Sequence, residues 1–69
     1  MGTPSDPRDR VSGLLRKHDL YVEYYEIFSR WCFRLTDNGG KLLWQRRGHD
    51  PRMIRDSLLE YLEEYDKNR

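Results

Sequence analysis

The feature that most constrains the fold is a pair of apolar-rich runs separated by a tight-turn signal, at residues 31–47 (WCFRLTDNGGKLLWQRR). Asn38-Gly39 lies at the centre of this stretch, between Asp37 and Gly40. Asn-Gly is the strongest short-range signal for a type I′ hairpin turn, which needs a positive φ at both central residues. The sequence therefore predicts a β-hairpin with a two-residue loop at Asn38-Gly39 or a four-residue loop over residues 37–40.

Both loops predict the same strand register. Its opposed pairs are Leu35 with Leu42, Phe33 with Trp44, and Trp31 with Arg46. Side chains alternate between the two faces of a strand. One face is expected to hold Trp31, Phe33, Leu35, Leu42 and Trp44, and the other Arg30, Cys32, Arg34, Leu43, Gln45 and Arg47. The apolar face needs a core, whereas the basic face is available to a partner.

Two helices are predicted around this hairpin, and each begins with an Asp-Pro pair. Aspartate caps the free N–H groups of a helix start, and proline fits the first turn. Asp6-Pro7 precedes an apolar stripe that predicts a helix over about residues 7–18. Asp50-Pro51 precedes a more regular stripe that predicts a helix over about residues 51–66. Residues 1–5 are predicted to be a disordered lead-in, and residues 6–69 a single domain.

Residues 19–30 are compatible with either helix or strand. The aromatic and β-branched residues between positions 21 and 28 favour a strand, although several of them also continue the apolar stripe of the first helix. We favour a break near Asp19 and a strand that begins within residues 21–25. One strand over residues 24–36 would exceed the usual length. It is therefore expected to bend or bulge around Ser29-Arg30, or to be two strands.

These elements predict a two-layer α+β fold, in the order helix, antiparallel hairpin of two or three strands, helix. Both helices are expected to pack on the aromatic face of the sheet. The predicted core contains Trp31, Phe33, Trp44, Leu14, Leu15, Ile54, Leu58 and Leu62. A single core in so short a chain rarely supplies more than about 3–5 kcal/mol without a disulfide, a metal or an oligomer. Monomer and homodimer are therefore expected with about equal weight.

Charge is unevenly distributed along the chain, although the net charge is only +1. Residues 30–55 hold seven cations, six of them arginine, against two acids, whereas residues 56–69 hold five acids against two cations. The planar guanidinium of arginine suits carboxylates and phosphates. The basic face is therefore either a binding surface for an anionic partner or a solvated face whose arginine stems cover apolar area. The candidate partner-binding residues are Arg30, Arg34, Arg46, Arg47, Arg52, Arg55, Tyr21 and Tyr24.

No catalytic, metal or cofactor site is predicted. The single cysteine excludes an internal disulfide, which fits a reducing compartment. One cysteine and two scattered histidines do not build a zinc site within one chain. Adjacent side chains at a helix end do not face each other, so His18-Asp19 and His49-Asp50 are poor candidates for a catalytic dyad. No apolar run approaches the roughly 20 residues of a membrane span, and we expect a cytoplasmic protein.

The sequence favours a binding function without enzymatic activity. Tyrosine and arginine, both abundant here, are enriched at protein interfaces and their hot spots. The leading hypothesis is a small protein-binding regulator or inhibitor of a larger enzyme or complex, such as a bacterial accessory protein or a phage-encoded inhibitor. The alternative is a nucleic-acid-binding module that uses the arginine-rich hairpin face. The predicted register places Trp31 and Trp44 away from the arginines, which argues against base stacking.

Overall fold

The computed structural model describes residues 7–68, which form two helices and a three-stranded antiparallel sheet. The elements in chain order are α1 (Pro7–His18), β1 (Tyr21–Ile27), β2 (Arg30–Thr36), β3 (Leu42–Gly48) and α2 (Pro51–Lys67). The strands follow one another as a meander, with β2 in the centre. The α+β class and the element order are thus confirmed. The predicted disordered lead-in and the capping role of Asp6 lie outside the described residues.

Helix α1 ends where the sequence predicts a break, because Asp19 adopts a left-handed backbone conformation with φ 57°. The N–H of Leu20 donates to the carbonyl of Leu15 at 2.8 Å, and the N–H of Asp19 donates to that of Arg16 at 3.3 Å. These two bonds make a Schellman motif, which satisfies carbonyls at a helix end. The motif turns Leu20 into the core, where it is buried, a role that the sequence analysis did not assign to it.

The ambiguous segment after α1 is a strand, and the long run over residues 24–36 is two strands joined by a tight turn. β1 and β2 pair from Tyr21 opposite Thr36 to Ile27 opposite Arg30, without a register shift. The two-residue connection, Phe28-Ser29, has φ values of 52° and 64°. Positive φ at both positions defines a type I′ turn, which usually contains Asn or Gly. The phenylalanine in this turn is therefore held in a conformation that bulky residues rarely adopt.

The turn between β2 and β3 differs from the predicted type I′ turn at Asn38-Gly39. Neither Asn38 nor Gly39 has a positive φ, whereas Gly40 has φ 87°. The N–H of Gly40 donates to the carbonyl of Asp37 at 3.0 Å, and the Asp37 carboxylate accepts from Gly39 and Lys41. A type I turn followed by a left-handed glycine is the common three-residue hairpin loop. The flanking aspartate selects this loop because its side chain satisfies the turn amides.

The predicted register of β2 and β3 is wrong by two residues. The observed pairs are Leu35 with Trp44, Phe33 with Arg46, and Trp31 with Gly48. The three-residue loop shifts the pairing by one residue, and a bulge at Leu43 shifts it by one more. Two one-residue shifts restore the original faces for the residues beyond the bulge.

Leu42 and Leu43 lie between the two shifts, and each is on the opposite face of the sheet from the one predicted. Leu42 was expected in the core, but it pairs with Thr36 and is 43% exposed. Leu43 was expected on the basic face, but it packs against the core. A bulge places an extra residue in one strand, so it redirects the side chains next to it.

Helix α2 begins as predicted, because the side chain of Asp50 accepts from the N–H of Arg52 at 2.9 Å and Pro51 occupies the first turn. The two helices pack against each other, and α2 packs on β3. The buried cluster contains Val11, Leu20, Phe33, Leu35, Ile54, Leu58 and Leu62. Of the other predicted core residues, Trp31, Trp44, Leu14 and Leu15 are partly buried against this cluster. By contrast, β1 has extensive contact with β2 alone among the described elements.

Candidate functional site

The face of the sheet opposite Phe33 and Leu35, here called the outer face, carries a shallow groove. Cross-strand pairing places Tyr25, Cys32 and Arg47 in one row, and Ile27 and Arg30 in another. The groove has a volume of about 600 Å³. Its lining consists of Tyr25, Ile27, Phe28, Arg30, Trp31, Cys32, Arg34, Gln45 and Arg47. The surface is thus largely apolar, with three guanidinium groups and no carboxylate among its lining residues.

Three of the predicted partner-binding arginines, Arg30, Arg34 and Arg47, line this outer groove. The Nε atom of Arg34 is buried and has no hydrogen-bond partner among the described residues. A buried donor without an acceptor is costly. The groove thus brings together three guanidinium groups, whose planar geometry suits carboxylate and phosphate oxygens.

The other three predicted arginines lie elsewhere, so the expected continuous basic stripe is divided. Arg46 pairs with Phe33, and it borders a depression that it shares with acidic residues of α2, including Glu60 and Glu64. Arg52 and Arg55 border a separate depression between the two helix starts. Arg46 departs from the stripe because strand alternation sends neighbouring side chains to opposite faces. Arg52 and Arg55 depart because they belong to α2.

The two tyrosines that were predicted to bind a partner also lie apart from each other. Tyr21 is on the outer face but at the far end of β1, where its hydroxyl donates to the Asp19 carboxylate at 3.0 Å. This hydrogen bond, together with the negative charge of Asp19, raises the pKa of Tyr21 above its usual value. Tyr24 is on the opposite face and packs edge-on against Phe33, with ring centroids 4.7 Å apart. Neither tyrosine lines the outer groove.

The residues that the sequence analysis did not select are those at the end of the β1–β2 hairpin. Phe28 is 95% exposed and Ile27 is 62% exposed. Tyr25 lies beside them in the groove, and its hydroxyl donates to Glu23 at 3.1 Å. We call the segment from Ile27 to Arg30 the hairpin tip. The excessive length of the apparent strand was the available signal for this turn, but Phe28-Ser29 lacks the usual turn residues.

The two helices are joined near their C-terminal ends by a cluster of charged groups. Asp66 accepts from Lys17 at 2.8 Å and contacts the Nε2 atom of His18 at 2.7 Å. The bond to Lys17, followed by that to His18, holds the pKa of Asp66 below its usual value. His18 also packs edge-on against Tyr65. These contacts connect α1 to α2, and we assign them a structural role.

Within residues 7–68, no three His, Cys, Asp or Glu side chains are arranged to hold a metal ion. The helices of this part of the chain are too short or too polar to cross a membrane. Comparison of the chain with protein family models, with curated proteins and with solved structures gives no match. Function must therefore be inferred from the outer groove and the hairpin tip themselves.

Proposed function

We propose that this protein is a small, non-enzymatic regulator or inhibitor that binds a larger enzyme or complex through the outer groove and the hairpin tip. The observation that carries the proposal is the exposed apolar surface at Tyr25, Ile27 and Phe28, directly beside three arginines. Aromatic residues and arginine are the groups most enriched at interface hot spots. A bacterial accessory protein or a phage-encoded inhibitor would suit a chain of this size.

The two faces of the sheet have different roles in this function. Phe33 and Leu35 belong to the same buried cluster as Val11 of α1 and Leu58 of α2, and the proposal leaves the outer face to a partner. The three guanidinium groups favour an acidic segment on that partner, and the apolar tip favours a hydrophobic pocket beside it. A cytoplasmic location is part of the proposal, because Cys32 has no second cysteine to pair with in an oxidising compartment.

The first test is quantitative affinity enrichment from cells that naturally produce the protein. We expect the wild-type chain to enrich a protein that the double variant Tyr25→Ser, Phe28→Ser does not. The matched control is Met53→Ser, because Met53 is an apolar residue of α2 that is 69% exposed. The control is expected to retain the same protein. Equal enrichment by the hairpin variant and the wild type would contradict the proposal.

A second candidate function is single-stranded nucleic-acid binding. The specific observation in its favour is that Tyr25 shares the outer face with Arg47, whereas the predicted register had placed Trp31 and Trp44 away from the arginines. Aromatic rings and cations on one surface can stack bases and hold phosphates. Nucleic-acid binding would weaken steeply as salt increases, because bound counterions are released.

Substitution of two neighbouring arginines on β3 distinguishes the two candidate functions. Arg47 lines the outer groove and Arg46 does not. If a single-stranded oligonucleotide binds at the groove, Arg47→Glu abolishes binding and Arg46→Glu weakens it far less. Fluorescence anisotropy at several salt concentrations measures both. If the wild-type chain binds no oligonucleotide even at low salt, the second candidate fails and the protein-binding proposal stands unaffected.

A further inference from the structure

Within residues 7–68, no strand pairs with the outer edge of β1. β1 has seven residues, none of which is lysine, proline or glycine, and it pairs with β2 without a bulge. Charged edge residues, prolines and bulges are the usual protection of an edge strand against pairing with another chain. The only charges on β1 are Glu23 and Glu26. Its side chains are exposed on both faces except for that of Val22, which is half-buried.

The tight turn at the hairpin tip determines which backbone groups point towards this open edge. A two-residue turn makes Ile27 and Arg30 the hydrogen-bonded pair that closes the hairpin. Hydrogen-bonded and non-hydrogen-bonded pairs alternate along an antiparallel ladder. The N–H and C=O groups of Val22, Tyr24 and Glu26 therefore face away from β2. A second strand can pair with these three residues without disturbing the sheet.

We propose that two copies of this chain pair through β1, antiparallel, about a twofold axis at Tyr24, and so form one six-stranded sheet. Tyr24 is the middle residue of β1, so this is the register that pairs all seven residues. It places Tyr24 opposite Tyr24 of the second copy, and Val22 opposite Glu26. Both are pairs of outward-facing residues, as the hydrogen bonding requires.

The charges and apolar groups of β1 agree with this register. Glu23 lies opposite Tyr25 of the second copy, and Tyr21 lies opposite Ile27. No two glutamates oppose each other, whereas a twofold axis at Glu23 or at Glu26 would place like charges together, which is unfavourable. A small core without a disulfide also favours stabilisation by association. The dimer joins the two outer faces into one surface, so a partner at the outer groove and a second copy at the edge do not compete.

The wild-type chain gives the first test. Light scattering after size exclusion, over a wide range of protein concentration, is expected to show a mass that rises from one chain to two. Amide hydrogen exchange on the same samples should slow at Val22, Tyr24 and Glu26 as concentration rises, while the amides of the β3 edge stay unchanged. A mass of one chain at every concentration would overturn the proposal, and the edge would then be open to a strand of another protein.

Charge substitutions at the twofold axis test the register. Tyr24→Lys and Tyr24→Glu are each expected to be monomeric, because like charges would face each other. An equimolar mixture of the two variants is expected to recover the mass of a dimer, since opposite charges would then be opposed. Met53→Lys is the matched control and should dimerise like the wild type. Dimers of either single variant, or no recovery on mixing two folded variants, would overturn the register.

Tyr24 also packs on Phe33, so circular dichroism must first show that both variants are folded. If they are not, the hydrogen-exchange measurement on the wild-type chain decides the question alone. Concentration-dependent protection at the three outward amides supports pairing at β1. Protection that appears instead at β3 or at the helices would overturn it.

Discussion

The two edge strands of the sheet, β1 and β3, differ in how they are protected. β3 carries a bulge at Leu43, has Arg46 and Arg47 on opposite faces, and packs against α2. β1 has no bulge and no basic residue, and it contacts mainly β2. Both strands flank the same central strand, so the difference is not a consequence of poor sheet formation. Most of the large apolar residues that are exposed in the described part of the chain lie along β1 and in the turn that follows it.

The largest expected effect is a difference in stability between a substitution in the core beneath the helices and one on β1. Leu58 in α2 is fully buried in the core. Leu58→Ala should cost about 2–5 kcal/mol in the free energy of unfolding, which is enough to unfold much of a chain with so small a core. Ile27→Ala on β1 should stay within about 0.5 kcal/mol of the wild type. Urea unfolding followed by circular dichroism, at low protein concentration, measures both. Similar losses for the two variants would show that β1 belongs to the core after all.

The hairpin tip is expected to become more stable when its turn is improved. Replacing Phe28-Ser29 by Asn-Gly supplies residues that accept positive φ, and should raise the free energy of unfolding by about 1 kcal/mol. Ser29→Gly alone should give part of this gain and keep the phenylalanine. The double variant should also lose the proposed partner, whereas Ser29→Gly should retain it. A loss of stability in both variants would contradict the idea that Phe28 is kept for binding.

The β2–β3 turn offers a matched pair of glycines. Gly40 has a positive φ and Gly39 does not. Gly40→Ala should cost about 1 kcal/mol because an alanine is strained in that conformation. A Cβ atom at Gly39 would lie 3.5 Å from the Asp37 carboxylate, which is ordinary contact, so Gly39→Ala should be nearly neutral. Thermal unfolding compares the two. If Gly39→Ala were the more destabilising of the two, the result would support the type I′ turn that the sequence predicts.

The smallest expected effect concerns the contact between the two helix ends. Because the pKa of Asp66 is lowered in the folded protein, its stabilising contribution is present above the ordinary aspartate pKa. That contribution is lost as the pH falls through the lowered value. Asp66→Asn should therefore reduce the melting temperature slightly at neutral pH and less in acid, whereas Asp56→Asn, on the same helix, should not. The effect is small because the ion pair is exposed to solvent. A variant equally destabilised at every pH would remove the ionic explanation.

The sequence predicted the elements well because their limits depend on local chemistry. Asp50-Pro51 defines the start of α2, and the break near Asp19 separates α1 from β1. The register of β3 could not be predicted in the same way. It depends on Gly40, rather than Gly39, adopting the left-handed conformation, and on a bulge that brings Leu43 rather than Leu42 to the core. The first choice is made locally, by the bonds of Asp37 to the turn amides. The second is made by packing against distant parts of the chain, because Leu43 contacts the core.

The candidate site was predicted only in part, for a related reason. Arg30, Arg34 and Arg47 followed from strand alternation, which the two compensating shifts left intact. Arg46, Arg52 and Arg55 were included because they are close in sequence, although the fold separates them from the outer groove. Ile27 and Phe28 were missed because a type I′ turn made of phenylalanine and serine contradicts ordinary turn preferences. A local conflict of this kind is typical of a functional position.

We propose that the hairpin tip, rather than the helical side, contacts the partner. A photoreactive phenylalanine analogue placed at Phe28, and separately at Met53, tests it in cells that naturally produce the protein. Both positions are well exposed, so unspecific cross-linking should be similar. We expect a discrete cross-linked protein from position 28 that is absent from position 53. A cross-linked protein from position 53 and none from position 28 would contradict it.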